Sequence, residues 1–167
     1  MKRSAIIGAG MMGREIAIVY AKAGYQVALV DAAMELAQGA KEKIGEILDR
    51  DIKKGRMEES RKAEILAGIT PVSDRKQLAD YDFITEAVPE NFELKESIFK
   101  ELDGICKPET IFLSNTSTIS ITKLSQAVSQ ARKRRFLGTH YFSPASVMKL
   151  VEVIPGHLSD DDVVAKV

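Results

Sequence analysis

Short, continuous apolar runs alternate along the chain with longer stretches whose apolar residues recur at helical spacing. This is the pattern of strands buried on both faces and separated by amphipathic helices. Residues 2–7 close on Ala5-Ile6-Ile7 and read as a first strand. Gly8-Ala9-Gly10-Met11-Met12-Gly13 follows, then an amphipathic stretch over 14–23, a Gly24-Tyr25 stop and a second apolar run, Val27-Ala28-Leu29-Val30, ending in Asp31. Strand, glycine turn, helix, strand and acid, in that order, form the layout of a dinucleotide-binding βαβ unit.

The rest of the chain continues the alternation. A long helix is expected over 34–54, with Leu36, Ile44, Ile47, Leu48 and Ile52 on its apolar side and Lys41, Lys43, Lys53 and Lys54 on its charged side. Those lysines read either as a solvated face or as contacts to the phosphates of a large substrate. A short helix over 58–67 precedes Ile69-Thr70-Pro71-Val72, which Pro71 confines to an edge. Residues 81–88 read as a further parallel strand, and Pro89 opens a helix over 90–103 whose first turn carries Glu90 and Glu93. A strand over 110–114, a helix over 119–128, a strand over 136–142 and a last strand over 148–154 follow, with a break at Pro155-Gly156. Asp160 is a candidate N-cap for a final helix. The basic run Arg132-Lys133-Arg134-Arg135 reads as an exposed connection. These elements predict an α/β fold: a Rossmann-type, doubly wound, mostly parallel sheet with helices on both faces.

Ligands of such sheets sit at the carboxyl ends of the strands. In the glycine turn, Gly8 permits the sharp exit from the strand, Gly10 lets a pyrophosphate approach the backbone, and Gly13 lets the helix pack against the sheet. The helix start at Met11 and Met12 presents N–H groups to an anion. Asp31 is placed to accept hydrogen bonds from the adenosine ribose. With Ala32 and Ala33 beside it there is no arginine for a 2′-phosphate, so NAD is expected rather than NADP. Asn115 and Ser117 fall where a substrate would lie, although Ser117 or Thr118 also reads as a cap of the next helix. Of the two histidines, His157 reads as a loop residue. His140 ends a strand on the glycine-loop side of the sheet. A histidine there suits the proton transfer that accompanies oxidation of an alcohol. Glu152, set among Leu150, Val151, Val153 and Ile154, reads as a buried carboxylate in need of a partner, and His140 is available.

Composition narrows the picture. The 167 residues contain 24 Lys and Arg against 24 Asp and Glu, and this balance argues against a dedicated nucleic-acid binder. The lone cysteine, Cys106, has no partner for an internal disulfide and fits a reducing cytoplasm. No apolar run is long enough to span a membrane. The first strand begins almost at Met1, so no targeting peptide is expected. No metal site is expected.

These residues resemble the N-terminal domain of the L-3-hydroxyacyl-CoA dehydrogenases, including the 3-hydroxybutyryl-CoA enzymes. The resemblance rests on 8–13, on Glu86-Ala87-Val88-Pro89-Glu90-Asn91, on Ser114-Asn115-Thr116-Ser117, on His140-Tyr141-Phe142-Ser143-Pro144 and on Val147-Met148-Lys149-Leu150-Val151-Glu152-Val153. It implies an NAD-dependent oxidoreductase of fatty acid or butanoate metabolism acting on the 3-hydroxyl of an acyl-CoA. His140 would be its acid/base, Glu152 the orienting carboxylate, and Ser117 a hydrogen-bond partner of the 3-oxygen. Asp31, Glu90, Lys95, Asn115 and Ser117 would contact NAD, Ser143 would add one polar contact, and Lys54 would meet coenzyme A. A family serine contact to coenzyme A falls on Ile47 here. The whole of 1–167 is expected to be the NAD-binding domain, without the helical dimerisation domain that family members carry. The site is thus expected to be completed by such a domain or by a homo-oligomer, and the isolated chain to bind NAD but turn over slowly. Two rival readings stay open: an NAD-binding module with little or no catalysis, and a dehydrogenase for another β-hydroxy acid.

Overall fold

The computed structural model describes residues 2–167; Met1 lies outside the described residues. The strands are β1 Arg3–Ile7, β2 Gln26–Val30, β3 Ile69–Val72, β4 Phe83–Glu86, β5 Ile111–Ser114, β6 Phe136–Tyr141 and β7 Val151–Pro155. They form one sheet in the order β3-β2-β1-β4-β5-β6-β7. All neighbouring pairs are parallel except β6 with β7, which is antiparallel. The helices are α1 Met11–Lys22, α2 Met34–Lys53, α3 Glu59–Ala67, α4 Phe92–Asp103, α5 Ile121–Leu124, α6 Gln130–Lys133 and α7 Asp161–Val164.

Both faces of the sheet are covered, which is why the inner strands read as unbroken apolar runs. Ile6 and Leu29 pack with Ile16, Ile18, Ile44, Leu48 and Ile65 on the α1–α2–α3 side. The alternate residues Ala5, Ile7, Val30 and Ile84 pack on the other side with Ile98, Phe99 and Leu102 of α4 and with Phe112 and Phe136. Phe99 anchors that layer, its ring centroid 4.6 Å from that of Phe136. Cys106 is buried there as well; burial pushes its thiol up to about 11, so it is a packing residue rather than a nucleophile.

Several expectations need correction. Helix α4 starts at Phe92, not at residue 90, because Asn91 is its N-cap and accepts from the Leu94 N–H at 2.7 Å. Glu90 therefore lies outside the helix. Leu36 is 58% exposed, so the apolar stripe of α2 is carried by Ala37, Ala40, Ile44 and Leu48. Residues 119–128 form only the short α5 and a 3₁₀ turn, Ser125–Ala127. The last strand runs to Pro155, which an outer strand tolerates. Asp160 occupies the N-cap position of α7 as expected, but its carboxylate makes no capping hydrogen bond and pairs with Arg134 at 2.8 Å instead.

The basic run is not uniformly exposed. Arg132 is buried and donates to the carbonyls of Cys106, Lys107, Pro108 and Thr110 and to the Asp103 carboxylate, with its guanidinium over the Phe112 ring. A planar fork with five donors can satisfy a loop of free carbonyls that no other side chain could serve. The Lys133 ammonium is tied to Gln126 at 2.7 Å.

Candidate active site

The chain leaves β1 for β2 and β3 on one side, then returns to β4 on the other, so a crevice opens between the ends of β1 and β4. The glycine turn lines it. Gly8 has φ +101, and a Cβ there would come within 2.8 Å of the Ala87 carbonyl oxygen. A Cβ on Gly13 would lie 1.8 Å from the Gly8 carbonyl oxygen, so no other residue lets α1 start this close to the strand end. A Cβ on Gly10 would meet nothing within 4 Å. That free space lies directly at the start of α1, which has neither a capping side chain nor an acid in its first turn. The helix end is left open to an anion. Met11 is exposed and Met12 half-buried at this end.

Asp31 follows β2. Its carboxylate accepts from the Ala9 N–H at 2.9 Å and the Ala32 N–H at 2.7 Å, which fixes it at the mouth of the crevice. A cavity of about 380 Å³ runs from Gly8 and Gly10 past Asp31 to Val88, Leu94 and Ile98. Its walls are largely apolar, with the Asp31 acid at one end and the open end of α1 beside Gly10. Arg75 also lines this cavity, paired with Glu101 at 2.5 Å. Nothing local in the sequence singled it out, because it reaches the crevice from the turn after β3.

The second cluster lies at the ends of β5 and β6. The β6–β7 register sets His140 opposite Glu152, with His140 Nδ1 2.7 Å from Glu152 Oε2. His140 Nε2 lies 3.1 Å from Ser117 Oγ. With Nδ1–H donating to the carboxylate, Nε2 is left as an acceptor toward Ser117 and whatever lies beside it. The Glu152 side chain is 51% exposed, not buried as its aliphatic neighbours suggested. The reason is that β7 is an outer strand with little packed on it; Val153 and Ile154 are exposed too. The pairing therefore comes from strand register, not from the cost of a buried charge.

Ser117 and Thr118 do not cap α5; Ser120 does, accepting from the Lys123 N–H. The 116–118 turn is instead organised by Glu90. One of its carboxylate oxygens accepts from the Thr116 hydroxyl, from the Ser117 and Thr118 N–H groups at 3.1 Å, and from the Thr118 hydroxyl at 3.0 Å. Desolvation works to raise the Glu90 pKa, but the Thr116 and Thr118 hydroxyls and the Lys95 ammonium outweigh it and hold it at about 2, against an ordinary 4.5. Asn115 Oδ1 accepts from the Tyr141 N–H at 3.0 Å, tying the turn to β6. Glu15 of α1 accepts from the Ala145 N–H at 2.5 Å and holds the loop after Ser143 against the glycine-turn helix. Glu15, like Arg75, was silent in the sequence, since its partner is 130 positions away. Ser143 is exposed in that loop. Lys54 is exposed at the C-cap of α2, on an element separate from the histidine cluster. The Lys95 ammonium is turned inward, against Glu86 and Glu90.

A lowered carboxylate pKa stabilises the fold above the unfolded value and ceases to do so as pH falls through the folded one. Glu90 should therefore contribute fully above pH 4.5 and lose its contribution on the way to about 2. Because its side chain is 39% exposed, the effect is on the order of 1 kcal/mol after screening. Thermal melts between those pH values should show a steeper loss of stability for the parent than for Glu90→Gln.

The family model for the NAD-binding domain of 3-hydroxyacyl-CoA dehydrogenase matches residues 3–167. A 3-hydroxybutyryl-CoA dehydrogenase of Clostridioides difficile is 39% identical over 159 residues, which are 93% of this chain and 54% of that protein. The fatty acid oxidation complex subunit alpha of Pseudomonas putida is 38% identical over 99% of this chain and 23% of its own length. The crystal structure of (S)-3-hydroxybutyryl-CoA dehydrogenase from Ralstonia eutropha superposes with a TM-score of 0.95 at 40% identity, covering 99% of this chain and 58% of that one. The chain thus spans about half the length of the 3-hydroxybutyryl-CoA relatives it matches. With its glycine turn, its carboxylate at the crevice mouth and its sheet order all accounted for, the chain belongs to the NAD-binding domain family of the 3-hydroxyacyl-CoA dehydrogenases.

Proposed function

We propose that this chain carries the catalytic residues of an NAD-dependent dehydrogenase that oxidises the 3-hydroxyl of a 3-hydroxyacyl-CoA, or reduces the 3-ketoacyl-CoA in reverse. The observation that supports this best is the line Ser117 Oγ, His140 Nε2, His140 Nδ1, Glu152 Oε2, with contacts of 3.1 and 2.7 Å, at the strand ends that flank the crevice. NAD, held by the glycine turn and Asp31, would supply the acceptor for the hydride from C3. His140 Nε2 removes the hydroxyl proton, and Glu152 accepts from Nδ1–H and stabilises the imidazolium that results. Ser117 donates its hydroxyl to the 3-oxygen, and in the reverse direction His140 returns the proton. Lys54 meets the coenzyme A phosphates, and Asn115, Glu90 and Ser143 shape the nicotinamide end. The reaction fits fatty acid or butanoate metabolism in a reducing cytoplasm; none of the described helices is long and apolar enough to cross a membrane.

The face beside Glu152 supports a cleft with a second wall. Val147 is 65% and Leu150 57% exposed next to it, and the relatives are about twice as long. A helical domain or a second subunit would cover this ridge and close over the acyl chain.

The test is NADH consumption with acetoacetyl-CoA, together with calorimetry of NAD and NADP. Slow turnover with NADH is expected from this chain alone, and markedly weaker NADP binding, because the Asp31 carboxylate repels a 2′-phosphate. NAD binding without turnover would instead favour the binding-module reading. Preference for NADP would remove Asp31 from the ribose site.

A further inference from the structure

Among the described residues, the most heavily buried charges are linked to the histidine cluster through Glu90 and Ser117. Glu86, at the end of β4, and Lys95, in the second turn of α4, are 0% and 1% exposed with 2.6 Å between Glu86 Oε1 and Lys95 Nζ. This arrangement is costly. Two ions leave water, and the ammonium sits near the positive end of its own helix. Buried pairs of this kind are often no more stabilising than apolar residues of the same size. Stability alone therefore accounts poorly for it.

The connections of the pair point elsewhere. Glu86 accepts from the Val88 N–H at 2.7 Å and the Ser114 hydroxyl at 2.6 Å, so its carboxylate is immobile. Lys95 reaches on from it to the Val88 carbonyl at 3.3 Å and to Glu90 Oε2 at 3.2 Å. The other Glu90 oxygen is the one that gathers the Thr116, Ser117 and Thr118 donors. Apart from Lys95, every partner of this half-exposed loop side chain belongs to the 116–118 turn that it holds.

We propose that Lys95 is a positioning residue: anchored by Glu86, it clamps Glu90 onto the 116–118 turn and so sets Ser117 against His140. This deepens the dehydrogenase reading and rests on it for its purpose. The clamp itself is a property of the ligand-free chain. It differs from the direct NAD contact that resemblance assigns to Lys95, since the ammonium points into the protein and already has three oxygen partners.

The test uses the ligand-free chain and requires no turnover, so its failure is separable from failure of the activity assay. The variants are Lys95→Met and the double change Glu86→Gln with Lys95→Met. The double variant removes both buried charges, while the amide oxygen still accepts from the Val88 N–H and the amide NH2 can donate to the Ser114 hydroxyl oxygen, so it folds even where the single variant does not. Three NMR readouts are followed: amide exchange at Ser117 and Thr118, titration of the Glu90 carboxyl, and the His140 Nε2 resonance that reports the Ser117 contact. Exchange at the two turn amides should rise about tenfold or more, while β1 amides such as Ile6 keep their protection. The Glu90 titration should rise above about 2 by the Lys95 share of its lowering, with the Thr116 and Thr118 hydroxyls still holding it below 4.5, and the His140 Nε2 signal should shift. Glu90→Gln, a change at a half-exposed side chain, should loosen the same two amides. Unchanged turn amides and an unchanged His140 signal would overturn the proposal and leave Lys95 as a cofactor contact. Exchange rising equally in β1 and the turn would overturn it in favour of a plain stability pair.

Discussion

Replacing His140 with alanine is expected to lower turnover by about 10²- to 10⁴-fold, the usual worth of a positioned general base, while leaving NAD affinity essentially unchanged. The separation follows from geometry. The imidazole touches Glu152, Ser117 and the Phe142 ring. None of these belongs to the glycine turn or to the Asp31 end of the crevice, where the proposed function seats the dinucleotide. Glu152→Gln should lose less, because a half-exposed carboxylate is screened and the amide oxygen can still accept from Nδ1–H. NADH consumption and NAD calorimetry on the same preparations check both expectations. Loss of NAD affinity with turnover retained in His140→Ala would move this residue from proton transfer to cofactor binding.

What the sequence made legible was local. The β1–glycine turn–α1–β2 unit could be read because its strand and helix periods, its glycines and Asp31 all fall within one short stretch. His140 and Glu152 were paired on a wrong premise. Aliphatic neighbours made Glu152 look buried, whereas the antiparallel register of β6 and β7 sets it opposite His140 on an open strand. Pro89 reads as a helix opener and so puts Glu90 in the helix, but Asn91 caps first and leaves Glu90 to hold the 116–118 turn. Arg132 looked like one of four surface charges, yet four carbonyls brought together by the chain after α4 draw it inside. Glu15, Arg75 and the Glu86–Lys95 pair share the same obstacle. Each side chain is ordinary in its own window, and only the partner that folding brings beside it gives it a role.

An alanine series across the glycine turn should separate packing from cofactor binding. Gly13→Ala is expected to destabilise the fold by about 3 kcal/mol or more, at or above the top of the ordinary overpacking range, since its Cβ would fall 1.8 Å from a backbone oxygen that cannot rotate away. For a domain of this size that is a fall in Tm of roughly 6–12 °C. Gly8→Ala should also destabilise, because φ +101 strains an L side chain and the Ala87 carbonyl stands 2.8 Å from the new methyl. Gly10→Ala differs in kind. Its φ of −66 suits any residue, and the added methyl would meet no protein atom within 4 Å, so stability should change by less than about 1 kcal/mol. The space that methyl fills is the approach to the open end of α1, where a pyrophosphate must come against the backbone. NAD affinity should therefore drop by about tenfold or more in Gly10→Ala, a cost of roughly 1.4 kcal/mol confined to binding. Thermal melts and calorimetry on the three variants give the answer. A Gly10→Ala chain that binds NAD as the parent does would place the phosphates away from this turn and remove the physical basis for the crevice as the dinucleotide site.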